Sequence, residues 1–160
     1  MVRPNSYQCR WMLVVLLCMT CAQGSDAQQF RLTVASPIAG NTPGFKSSMF
    51  VVRTDGCPEP AKARITATAE GLVDGARRSV ALELMALAQP GAYAVNKGWP
   101  AAGTWVVNLT ASYLDMKAGA IVSIGSKGFL REPSKFFPRP AMPAEIDAAL
   151  KTLSANGGAR

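Results

Sequence analysis

The stretch that most constrains this chain runs from Trp105 to Tyr113. Trp105, Val107, Leu109, Ala111 and Tyr113 fall on one side of an extended backbone, and Val106, Asn108, Thr110 and Ser112 on the other. A period of two is what a half-buried antiparallel strand requires. Just upstream, Pro90–Tyr113 reads as a strand, a connection through Gly98–Gly103, and this second strand. A chain with such a pair at its centre needs further strands to cover the apolar face.

Those strands are legible in order. Gln28–Ala35 alternates with Phe30, Leu32 and Val34 on one side, and Ser48–Thr54 forms a second strand that ends at Asp55-Gly56. Ala61–Glu70 carries Ala63, Ile65, Ala67 and Ala69 opposite Thr66, Thr68 and Glu70, and its β-branched residues favour a strand over a helix. Ala76–Leu87 satisfies both patterns, and the neighbouring strands decide it as a strand. Met116–Gly119 reads as a turn and Ala120–Gly125 as a last short strand. The expectation is an all-β fold: an immunoglobulin-like antiparallel sandwich of about seven strands.

The tail differs. Phe129–Pro143 contains four prolines and three phenylalanines, and reads as an extended proline-rich arm. Pro143–Ser154 is then a short helix. Pro143 suits its first position, Glu145 and Asp147 its positive end, and Ile146, Ala149, Leu150 and Leu153 make an apolar stripe. The arm and helix either pack on the domain's own sheet or dock a partner through the phenylalanines. The division expected is a signal peptide over 1–27, a sandwich over 28–128, and arm plus helix over 129–160.

The N-terminal expectation rests on Arg3 and Arg10, the apolar run Trp11–Cys18, and the small residues Ser25 and Ala27 that set a cleavage site after Ala27. Too short for a comfortable membrane span of about 20 residues, the run predicts export to the periplasm or secretion. Removal of this segment leaves Cys57 as the single thiol, so no internal disulfide forms.

Around the central pair the chain resembles bacterial exported immunoglobulin-like domains of the YtkA type, related in shape to the copper-resistance protein CopC. Pro90-Gly91-Ala92-Tyr93 and Gly103-Thr104-Trp105 carry the likeness, supported by Ser48–Thr54 and Pro58–Ala63, over roughly residues 30–125. The resemblance implies an exported sandwich. CopC-like copper sites use histidines and clustered methionines, whereas this chain has no histidine, and Met49, Met85, Met116 and Met142 are widely spaced. A blue-copper centre, which needs two His and a Cys, is excluded. A Cu(I) carrier built on Cys57 and Met116 stands as an alternative function.

The missing histidine also removes the commonest general base, and no Ser-x-x-Lys, carboxylate pair or phosphate loop is convincingly placed. The chain therefore reads as a non-enzyme without a cofactor. The formal charge of +7 is spread along the sequence, with Arg77-Arg78 the one adjacent pair, so nucleic acid is not an expected partner. Membrane contact is expected only through the N-terminal segment if it stays uncut. Trp105 is expected in the core. Trp99, in the connection between strands, is expected to be exposed and, with Phe129, Phe136 and Phe137, to contact a protein partner in the cell envelope. A carbohydrate-binding module using Trp99 is the second alternative.

Overall fold

The computed structural model describes residues 29–37, 48–125 and 128–157. The expected signal peptide lies outside the described residues, as does the turn-rich stretch around Gly40–Gly44. Among these residues nine strands and one α-helix follow in order: β1 (Arg31–Ala35), β2 (Ser48–Asp55), β3 (Arg64–Val73), β4 (Ala76–Leu82), β5 (Leu84–Ala86), β6 (Ala92–Asn96), β7 (Thr104–Tyr113), β8 (Met116–Gly125), β9 (Gly128–Phe137) and α1 (Pro143–Gly157), with a single 3-10 turn at Pro60–Lys62 between β2 and β3. One sheet has the order β1-β2-β6-β5 and the other β4-β3-β7-β8-β9, with every pair antiparallel. The first is the A-B-E-D sheet of an immunoglobulin sandwich. In the second, β3, β7 and β8 stand for C, F and G.

The core lies between the sheets. The alternation in β7 places Trp105, Val107, Leu109, Ala111 and Tyr113 inward, against Phe50 and Val52 of β2, Leu32 of β1 and Val122 of β8. Its opposite side meets the helix: Val106 and Ile121 pack under Ile146, Ala149 and Leu150, so the apolar stripe of α1 covers the domain's own sheet. Burying Ile146 and Leu150 contributes about 1.5–3 kcal/mol each. Polar ties bracket the start of α1. Arg139 forms a bidentate pair with Glu145 at 2.9 and 2.8 Å, and Arg77 of β4 bridges Glu70 and Asp147.

Three local readings are corrected. The segment expected to be an extended arm is β9, paired with β8 from Gly125↔Gly128 to Gly119↔Phe137. Pro133 is accommodated because β9 is an edge strand and its register shifts opposite Ile121–Ser123. Ser134 closes that bulge: its Oγ accepts from the Ser123 N–H at 3.0 Å and donates to the Leu130 carbonyl at 2.6 Å. The Ala76–Leu87 strand is two strands, β4 and β5, which belong to different sheets and are separated by Glu83. Met116–Gly119 is not a turn but the start of β8, and the reversal falls one step earlier, at Leu114-Asp115. The added β9 and the division into β4 and β5 raise the strand number from seven to nine.

Candidate functional site: a groove between two sheet edges

β1 and β9 are the outer strands of their respective sheets, on the same side of the sandwich. Among the described residues, neither has a strand partner for the backbone N–H and C=O groups along its outer edge. Between them lies a groove of about 180 Å³, lined by Gln29, Phe30, Arg31 and Leu32 from the β1 side and by Phe136, Phe137 and Pro138 from the end of β9.

Strand register positions the two phenylalanines differently. Phe136 pairs with Ala120, on the row that faces the core, yet at the edge it stays 47% exposed. Phe137 pairs with Gly119 on the opposite row and packs with the Val106–Ile121–Leu150 cluster. The Arg139 guanidinium lies 5.2 Å from the centre of its ring, a cation–π contact that fixes the groove's far wall. On the near wall, Phe30 is buried with its ring 6.4 Å from that of Tyr113. Arg31 is exposed and, among the described residues, has no ion-pair partner and is the one charged side chain lining the groove.

Of the four aromatic residues expected to contact a partner, two reach this groove. Trp99 does not: it is 7% exposed and belongs to the main core. The connection folds inward beside Leu82, and a Cβ on Gly98 would stand 2.9 Å from Leu82 Cδ2. Phe129 also faces inward, its ring centre 6.5 Å from that of Phe50. A sugar platform on Trp99 therefore has no exposed indole to use. Phe30, Arg31 and Leu32 were missed as groove residues, since nothing in the first strand's alternation says which strand end lies across from it.

Cys57 follows β2, and Met116 opens β8. Cys57 packs on the core, with its Sγ 3.9 Å from Thr54 Oγ1, while Met116 sits at the exposed start of β8. Among the described residues no group of three or more His, Cys, Asp and Glu side chains comes together. Near Cys57, the Tyr113 hydroxyl donates to Glu59 Oε2 at 3.4 Å, and Glu59 pairs with Lys62 at 2.7 Å. Burial raises the Tyr113 pKa above its ordinary value, and the Glu59 charge raises it further.

No family model, curated protein or solved structure matches this chain.

Proposed function

We propose that this protein is an exported, non-catalytic binding module of a bacterial envelope system, of the YtkA-like and CopC-like type, and that it holds an extended segment of a partner protein in the β1–β9 groove. The observation that carries the reading is a half-exposed Phe136 beside two sheet edges that have no strand partner among the described residues. An unpaired edge accepts a further strand through backbone hydrogen bonds, and pockets beside it select alternate side chains. Groove size supports the same reading. About 180 Å³ is below the roughly 300–1,000 Å³ of a typical small-molecule pocket, and suits one or two side chains of a longer ligand. Arg31 on the rim favours a partner segment that carries a carboxylate beside an apolar anchor.

The test is site-specific photocrosslinking in the producing cells, with a photoreactive residue in place of Phe136 or, as control, of Met85 on the far edge strand β5. A discrete protein adduct from position 136, absent from position 85 and weakened by Arg31→Glu, is the expected result. Identical adducts from both positions would remove the groove from the account. Fractionation of the same cells checks export.

A further inference from the structure

The end of the sandwich that carries the β7–β8 hairpin has a feature the groove does not use. Leu114 occupies the hairpin tip with φ of +51° and 84% of its surface exposed. A branched apolar residue is disfavoured in the left-handed region, where Gly, Asn or Asp is usual. Folding alone favours neither the residue nor its exposure. Met116, which pairs with Tyr113 just below the tip, is also exposed. One rung further down, Ser112 is flanked in register by Arg64 on β3 and Lys117 on β8. Both cations are exposed, and neither has an ion-pair partner among the described residues. Lys62 lies on the adjoining β2–β3 connection, paired with Glu59.

We infer that this tip docks on an anionic phospholipid surface, with Leu114 entering the acyl boundary and Arg64 and Lys117 meeting headgroup phosphates. The spacing matches. Leu114 is two residue steps beyond Ser112, about 7 Å at roughly 3.4 Å per step of extended chain. A shallow interfacial contact buries its apolar part about 5–10 Å into the headgroup region. With Leu114 at that depth, the Arg64–Ser112–Lys117 rung lies at the level of the phosphates, and the two long cations spread to either side. A protein partner suits this end less well. One leucine and one methionine fall far short of the roughly 800 Å² per side of a standard interface, whereas lipid needs no matched pocket. Asp115 is the carboxylate beside the tip and opposes the contact, so its removal should strengthen binding.

The test uses the exported protein, its N-terminus defined by mass spectrometry so that any remaining leader is common to all variants. Co-sedimentation with phosphatidylcholine vesicles, with and without phosphatidylglycerol, is expected to show salt-sensitive binding to the anionic vesicles only. Arg64→Gln and Lys117→Gln should each weaken it about fivefold, Leu114→Asn about fivefold to tenfold, and Asp115→Asn should tighten it. Leu114→Asn relieves the strained turn, so its loss of binding is not a loss of fold, and thermal unfolding confirms this. Leu114→Trp in vesicles of brominated lipid should add quenching over wild type, and Met85→Trp should add none. Undiminished binding of Leu114→Asn, equal binding to both vesicle types, or no added quenching at position 114 would overturn the proposal. In the first case, retained binding would assign lipid contact to another segment.

Discussion

Gly71 and Trp105 are register partners on neighbouring strands, and the indole lies where a side chain on Gly71 would be: a Cβ there would stand 2.4 Å from Trp105 Cε3. The indole is fixed at its other side, where its N–H donates to the Ala102 carbonyl at 2.8 Å. Trp105 can therefore neither slide away nor tilt without losing a bond. Gly71→Ala is expected to cost about 1–3 kcal/mol, as overpacking in a rigid core does. Urea unfolding measures this, and the near-ultraviolet circular dichroism of tryptophan should change with it. Gly75→Ala is the comparison. It meets no neighbour within 4 Å but sits at φ of +76°, so backbone strain of about 1 kcal/mol is its whole effect. A Gly71→Ala variant as stable as wild type would mean that the sheet yields at this contact.

The β3–β4 and β7–β8 hairpin turns give a second comparison within one sheet. The β3–β4 turn uses Asp74-Gly75, with both residues at positive φ, the arrangement preferred for a two-residue hairpin. The β7–β8 turn places Leu114 in the same region of backbone space. Leu114→Gly and Leu114→Asn are expected to stabilise the fold by up to about 1 kcal/mol, since they release strain and give up little packing. Equilibrium unfolding of the three proteins tests this. A loss of stability in both variants would show that the leucine makes contacts its exposure does not suggest.

These turns also show what the sequence makes legible. The β7 alternation is local: nine consecutive residues declare both faces, and the structure follows them. So is the stripe of α1, whose residues Ile146, Ala149, Leu150 and Leu153 pack as their spacing requires. The misreadings come from non-local causes. Pro133 argued against a strand, yet β9 forms because it lies at an edge and Ser134 takes up the bulge. Trp99 reads as a loop contact, but that loop turns inward and Trp99 packs into the core, with Gly98 against Leu82, a residue sixteen positions earlier in the chain. The groove is the extreme case. Phe30, Arg31, Phe136 and Phe137 lie at or beside the first and last strands in chain order, and only sheet order makes them neighbours.

Gly119 governs how the C-terminal segment lies down. The chain after β9 crosses directly over it, and a Cβ on Gly119 would approach the Arg139 carbonyl oxygen to 2.5 Å and the Ala141 nitrogen to 3.0 Å. Both neighbours are backbone and cannot rotate away. Gly119→Ala should lift Pro138–Met142 and loosen α1 while the two sheets persist. Hydrogen exchange should show faster exchange of the α1 amides, with those of β3 and β7 unchanged. Leu150→Ala, which removes a buried side chain from the same contact, should produce similar loosening at a cost of about 2–5 kcal/mol. Uniform loss of protection in Gly119→Ala would instead show that α1 and the sheets unfold as one unit.

Glu145 makes the docking of α1 depend on pH in a direction that can be stated. Its carboxylate accepts two bonds from Arg139 and one from the Met142 N–H at 2.7 Å, at the positive end of the helix. The Arg139 bonds, then the Met142 bond, lower its pKa from 4.5 to about 2. A carboxyl group that ionises more readily in the folded chain stabilises the fold fully above its unfolded pKa, and that contribution fades as the pH falls through the folded one. The stabilisation is therefore complete above about pH 4.5 and declines toward pH 2. Glu145→Gln keeps an acceptor for Met142 but loses the charge. The gap in melting temperature between wild type and Glu145→Gln should be constant from pH 7 down to about pH 5 and close as the pH approaches 2. The same comparison isolates this residue from other carboxylates, which titrate equally in both proteins. A gap that persists unchanged at pH 2 would show that the Arg139–Glu145 charge pair does not hold the helix.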